Sequence, residues 1–219
     1  MIVYATHKGG KYLPLKESLK IDPNTPRGLY VNLTNRCNCN CVFCLREKKS
    51  MTDEATLWLE REPTVEEVKT ELDAAPWHVI NEVVFCGFGE PTIRLDALTE
   101  LLAYAKKIRP DIPTRLNTNG LGELYHGREI AADFKDILDT ASISLNAATA
   151  EKYFKITRAV YGLQSFEAML TFAEHMKKFV PNVILTVVDH VTPPEEIDMC
   201  RKICAERNLT LRVRPYEDS

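Results

Sequence analysis

The chain has 219 residues and a mass of 24.9 kDa, with 45% hydrophobic and 27% charged residues, which fits one domain with a real core. Its 28 Lys+Arg against 31 Asp+Glu leave a net charge of -3, which excludes a wholly basic nucleic-acid binder and argues against RNA as a partner. Twelve scattered prolines with no low-complexity block exclude disorder, no apolar run could span a bilayer, and residues 1–11 lack the apolar stretch of a secretory signal, so the chain reads as soluble and cytoplasmic.

Residues 2–6 and 12–15 flank Gly9-Gly10 and predict a short N-terminal hairpin. Residues 21–27, with Pro23 and Pro26, read as a linker, which divides the chain into 1–27 and a main domain at 28–219. Strands are then predicted at 29–34, 82–86, 114–117, 141–145, 183–188 and 211–214. Between them fall helices at 64–74, 95–107, 131–138, 150–160 with 165–180, and 194–207. Pro63-Thr64 and Pro193-Pro194-Glu195-Glu196 are helix starts, with proline and early acids at the positive end. Such alternation predicts βαβ units, a parallel sheet and right-handed crossovers.

Six units are too few for a complete barrel, which takes about 250 residues. The strands decide between an open doubly wound sheet and a partial barrel. Strands covered by helices on both faces read as continuous apolar runs. Here every second residue is polar: Tyr30/Asn32/Thr34, Arg115/Asn117/Asn119, Ser142/Ser144/Asn146, Thr186/His190 and Arg212/Arg214. The intervening Leu29/Val31/Leu33, Leu116, Ile143/Leu145 and Leu211/Val213 suit helix packing. The expected fold is therefore α/β, a partial (β/α)6 barrel with a short N-terminal hairpin, whose polar strand faces curve around a cavity.

Seven cysteines without an export signal point to metal or redox chemistry rather than a disulfide framework. Cys37, Cys39, Cys41 and Cys44 fall within eight residues, directly after the first strand of the main domain. Three thiolates spaced Cys37-x3-Cys41-x2-Cys44 can converge on one centre, and soft sulfur selects iron–sulfur, zinc or copper(I). Structural zinc and electron-transfer clusters usually take four protein ligands. Three leave a position open for a ligand that does chemistry.

The spacing, with Phe43 just before the last cysteine, resembles the C-x3-C-x-aromatic-C signature of the radical SAM enzymes. The resemblance implies a [4Fe-4S] cluster on Cys37, Cys41 and Cys44. Its fourth iron would be chelated by S-adenosylmethionine (SAM), with Phe43 near the adenine. Reductive cleavage would yield a 5′-deoxyadenosyl radical that abstracts hydrogen from a substrate, and an electron donor such as flavodoxin or ferredoxin is implied. Cys86-Gly87-Phe88-Gly89-Glu90-Pro91 is similar to the family's Gly-Gly-Glu-Pro element, which binds the methionine amino group. Glycine lets backbone approach a ligand, and Glu90 sets negative charge near an ammonium. Asn117 and Asn119, in Asn-Thr-Asn-Gly, and Ser144 and Asn146, in Ser-Leu-Asn-Ala, resemble the family's next two strand ends, where ribose hydroxyls are held. Arg158 is a candidate partner for the cofactor carboxylate. His190, beyond the fifth strand, is open to cofactor contact, substrate acid–base work or loop packing. The motifs look most like an uncharacterised branch linked to TatD-type nucleases, which carries no known substrate.

Cys39 falls outside the signature and reads as a packed or outward thiol. Cys86 reads as a small hydrophobe, and Cys200 and Cys204, one helical turn apart, as core. Arg46, Lys48 and Lys49 form a solvated basic face or a reductase docking site, offset by Asp53, Glu54, Glu60 and Glu62. Arg212 and Arg214 alternate with Leu211 and Val213, so both guanidinium groups point one way. Either they face the cavity and mark a carboxylate- or phosphate-bearing substrate, or they guard an exposed edge strand. Glycyl-radical-enzyme activation and RNA or nucleotide modification are the alternatives within the family. A non-enzymatic zinc or electron-transfer protein is the rival from another class.

Overall fold

The computed structural model describes residues 1–7, 11–48 and 56–215. The Gly9-Gly10 turn, Lys49, Asp53 and Glu54 lie outside the described residues. The antiparallel pair β1 (Val3–His7) and β2 (Lys11–Pro14) leads into α1 (Leu15–Ile21), and β3 (Arg27–Val31) opens the parallel part. The chain then runs through α2 (Leu45–Lys48), α3 (Val65–Asp73), β4 (Ile80–Phe85), α4 (Leu95–Ile108) and β5 (Thr114–Thr118). It continues through α5 (Gly122–His126), β6 (Thr140–Ser144), α6 (Ala150–Thr157), α7 (Gln164–Met176), β7 (Asn182–Val188), α8 (Pro194–Glu206) and β8 (Thr210–Arg214).

These strands form one sheet in the order β2-β1-β3-β4-β5-β6-β7-β8, with every neighbour from β3 to β8 parallel. The parallel strands never reverse their order. A doubly wound sheet reverses at a switch point, whereas a one-directional order with crossover helices curls toward a barrel. This is the expected partial (β/α)6 barrel. The N-terminal hairpin continues the same sheet, with Val3 opposite Val31 and Tyr4 opposite Tyr30.

The core lies between the sheet's outer face and the helices. Leu29, Val31, Leu116, Ala141 and Ile143 are fully buried on that face. From α4, Leu98, Leu101, Leu102 and Ala105 are fully buried, the i, i+3, i+4, i+7 stripe of a helix on a sheet. Each such leucine contributes about 1.5–3 kcal/mol by leaving water. Thr64 and Glu67 close a reciprocal capping box on α3, so the helix starts one residue after the expected Thr64.

Several expectations shift. β3 begins at Arg27, inside the segment 21–27 read as a linker, and ends at Val31 rather than at residue 34. Residues 131–138 do not form a helix: a 3-10 turn at Ala131–Phe134 gives way to Asp136 at φ 64°. Arg158, left-handed at φ 49°, stops α6 at Thr157, short of the expected residue 160. Three short helices, α1, α2 and α5, arise where no helix was expected. Among the described residues, no helix is long and apolar enough to cross a membrane.

Candidate active site: a cysteine loop beside a cavity at the strand ends

The loop after β3 carries the four clustered cysteines, and its backbone is fastened on both sides. Asn40 N–H donates to Thr157 O (2.9 Å), Val42 N–H to Ile156 O (2.9 Å) and Val160 N–H to Asn38 O (3.0 Å), which ties the loop to the end of α6. Across the loop, the Asn119 amide Nδ2 lies 2.5 Å from Asn38 Oδ1, 3.7 Å from Cys37 Sγ and 3.6 Å from Cys39 Sγ. Its own Oδ1 is held by Leu121 N–H at 3.0 Å, so the amide edge is turned toward the thiols.

Cys37, Cys41 and Cys44 are half-buried, while Cys39 is buried. The Cys39 thiol hydrogen-bonds with Cys37, which holds the Cys37 thiol below its ordinary value. The same contact, together with one to Cys41, pushes Cys39 far upward. Cys39 is thus packed inward, between the flanking thiols rather than away from them. Burial raises Cys44. Cys200 and Cys204 sit in the core, where burial pushes them up to about 12 and about 11 and leaves them as inert thiols.

The turn after β4 carries Gly87, Gly89 and Glu90. A Cβ on Gly87 would lie 2.1 Å from Asn32 Oδ1, and one on Gly89 2.2 Å from the Thr34 carbonyl oxygen. Close packing against the chain leading into the cysteine loop therefore demands these glycines, which adds to the expected role of ligand access. Phe88, where the family pattern usually has glycine, packs edge-on against Trp58 at 5.2 Å. Glu90 is buried and accepts four hydrogen bonds. Oε1 takes Thr92 N–H (3.1 Å), Thr92 Oγ1 (2.7 Å) and Thr118 Oγ1 (2.7 Å), and Oε2 takes Asn119 N–H (2.7 Å). Burial raises its pKa against the pull of those donors. The carboxylate caps the 3-10 turn Pro91–Arg94 and locks the β4 end to the β5 end.

A cavity of about 460 Å³ opens at the C-terminal ends of the parallel strands. Phe43, Gly87, Gly89 and Glu90 line it, together with Asn117, Asn119, Ser144, Arg212 and Arg214, which the alternation of strand residues had put on the cavity side. Pro91 is buried behind Glu90. Three candidates stand apart from the lining. Asn146 is buried at φ 61°, with its carbonyl taken by Thr192 Oγ1 at 2.9 Å. The His190 side chain is 80% exposed beside Asp189, and Arg158 is exposed at the end of α6. Sequence reasoning missed the wall built by the hairpin, where Tyr4 and Tyr12 join Tyr30 of β3, with Tyr4 5.5 Å from Tyr12 and 5.1 Å from Tyr30 ring to ring. One tyrosine on each hairpin strand was the available signal. Arg115 also lines the cavity, paired with Glu82 at 2.8 Å.

The donor set suits an iron–sulfur cubane and an amino-acid-like ligand. Asn117 Oδ1 is a buried acceptor with no partner among the described residues, at the wall where an ammonium or hydroxyl would lie. Among the described residues, no three His, Cys, Asp or Glu converge on a single-ion site. A cubane places each thiolate on a different iron, so its ligands need not meet at one point.

A partial (β/α)6 barrel with a three-cysteine loop after its first parallel strand and a polar cavity at the strand ends defines a cofactor-dependent enzyme class. Residues 31–203 match the family described as the radical SAM superfamily, and the chain belongs to it. Its members use a [4Fe-4S] cluster and SAM. The chain is 32% identical over 174 residues to the probable GTP 3',8-cyclase of Thermococcus kodakarensis, covering 78% of this chain and 51% of that protein. It is 35% identical over 139 residues to the GTP 3',8-cyclase of Corynebacterium glutamicum, covering 60% and 34%. It thus spans about half or less of these relatives. Among solved structures, Streptococcus suis SuiB superposes with a TM-score of 0.64 at 19% identity, over 93% of this chain and 43% of that one. AdoMet-bound anSMEcpe gives 0.60 at 21% identity, over 85% and 50%. At such identities the likeness concerns the fold.

Proposed function

We propose that the protein holds a [4Fe-4S] cluster on Cys37, Cys41 and Cys44, binds SAM along the β4–β6 ends, and abstracts hydrogen from a nucleotide-like, anionic substrate. When bound and reduced, the cluster supplies the electron that cleaves SAM to methionine and a 5′-deoxyadenosyl radical. The chain's own residues position the reactants. Asn119 orients the cysteine loop, and Glu90 fixes the β4 turn that forms the cavity floor. Asn117 and Ser144 offer polar groups at successive strand ends, and Phe43 brings an aromatic face into the cavity.

The observation that carries the reading is the meeting of the cysteine loop and the cavity at one end of the parallel strands, with Arg212 and Arg214 at its rim. Neither arginine has an ion-pair partner among the described residues, and planar guanidinium forks suit phosphate or carboxylate. The curated relatives are named for action on GTP, which supports a nucleotide as the anionic substrate. The finer likeness to the branch linked to TatD-type nucleases rests on the strand-end motifs. The test is anaerobic incubation of reconstituted protein with dithionite, SAM and uniformly deuterated nucleotides, GTP first. Deuterium in 5′-deoxyadenosine is expected. SAM cleavage with no label from any nucleotide would refute the substrate class.

A further inference from the structure

Seven large hydrophobic side chains are exposed among the described residues, and three of them cluster within ten residues of chain: Phe154 (41%), Val160 (71%) and Leu163 (51%). They lie on the last turns of α6 and the segment after it. That segment is the one hydrogen-bonded to the cysteine loop, through Ile156 O, Thr157 O and Val160 N–H. The loop residues it touches, Asn38, Asn40 and Val42, alternate with Cys37, Cys39 and Cys41. None of the patch residues lines the cavity, so bound SAM and substrate would leave this side open.

Charge around the patch is mainly positive. Residues 36–46 and 152–163 contain Arg36, Arg46, Lys152, Lys155 and Arg158 and no acid, with Glu47 and the exposed Glu151 flanking the two stretches, although the whole chain is net negative. Arg36 and Lys152 are paired with Glu62 and Glu196. Lys155 and Arg158 are exposed, with no ion pair among the described residues. Arg46 donates to Cys39 O and Asn40 Oδ1, which places a further cation against the loop. Cations at a helix C-terminus are favourable for the helix alone. That effect accounts for Lys155 and Arg158, but not for a valine and a leucine held in water beside them. Exposed apolar residues beside unpaired charge of mainly one sign, here Lys155 and Arg158, are the marks of a transient protein interface.

We propose that this face, centred on Val160 and Lys155, docks a small acidic one-electron carrier of the flavodoxin or ferredoxin type, and that the electron enters through the backbone of the cysteine loop. The inference rests on the radical SAM reading, which requires one electron from outside for each SAM cleaved. In the docked complex the carrier is oxidised by one electron and the cluster is reduced by one, with no bond made or broken.

The test compares two reductants on the reconstituted holoprotein. Wild type and the double variant Lys155→Glu/Val160→Asp are assayed for 5′-deoxyadenosine with dithionite, which needs no docking, and with photoreduced flavodoxin. Dithionite-driven cleavage is expected to stay within twofold, while flavodoxin-driven cleavage falls tenfold or more. The wild-type flavodoxin rate should also fall as salt rises. Equal loss with both reductants, or no loss with either, would overturn the proposal. So would a wild-type dimer that the double variant dissociates, since the face would then serve a second copy. If wild type cleaves no SAM with dithionite, the radical reading itself fails. Flavodoxin binding, followed by flavin fluorescence, then still decides the face: equal affinity of wild type and variant overturns it.

Discussion

At the residue scale, Glu90 shows a structural role that its motif alone did not announce. The sequence marks it as a negative charge for the cofactor's ammonium. The structure shows a buried carboxylate already accepting from Thr92, Thr118 and Asn119, with Oε2 taking a single donor. Glu90→Gln must turn an NH2 toward one of those donors, which costs about 1–3 kcal/mol. A lowered melting temperature in the cluster-free protein and weaker SAM binding by calorimetry are expected together. Unchanged stability would mean that the four hydrogen bonds do not hold Glu90 in place. The three cysteines proposed as ligands were legible because their spacing is local. The position of Cys39 between two of them was not, since side-chain direction on an irregular loop has no period.

At the scale of elements, the six parallel strands were legible as short strand-like runs alternating with helical patterns, and the polar faces of five of them pointed to a curved sheet. The short pieces were not. A seven-residue helix such as α1 and the 3-10 turn at Ala131–Phe134 carry too few residues for a periodic signal, and tertiary contacts decide them. The tight contact between the β4 turn and the chain after β3 makes a sharp prediction. Gly89→Ala pushes a methyl into the Thr34 and Arg36 carbonyls, which are backbone and cannot swing away. It should destabilise by about 1–3 kcal/mol in denaturant titration, and a neutral result would show that the turn can retreat. Asp139 ties the start of β6 to β5 and α4, through Thr114 N–H (2.7 Å) and Lys106 Nζ (2.6 Å). Burial disfavours its charge, but Lys106 and Thr114 outweigh that and hold it below its ordinary value. A depressed carboxyl stabilises above its unfolded pKa, and that stability is lost as the pH falls through the folded value. Asp139→Asn should therefore flatten the loss of stability below about pH 4. An identical acid limb in wild type and variant would remove Asp139 from the account.

For the whole molecule, the curve of the sheet brings distant residues to one cavity. Arg212 and Arg214 on the last strand and Tyr4 and Tyr12 on the first hairpin line the same space, although some 200 residues separate them. The arginines were legible as a same-face pair. The tyrosines were not, because only the addition of the hairpin to β3 carries them to the rim. β8 is also the sheet's edge among the described residues, so its arginines both end the sheet and line the cavity, and their role toward substrate is a proposal. Arg212→Gln and Arg214→Gln should each spare substrate-free SAM cleavage while turnover of the true substrate falls at least tenfold, and normal turnover in both would leave only the edge role. All of this depends on the cluster. The direct test is iron and sulfide content after anaerobic reconstitution of four single variants, Cys37→Ala, Cys39→Ala, Cys41→Ala and Cys44→Ala. The account predicts about four irons per chain in wild type and Cys39→Ala, and loss of the cluster in the other three. Loss of iron in Cys39→Ala alone, or full iron in all four, would contradict it.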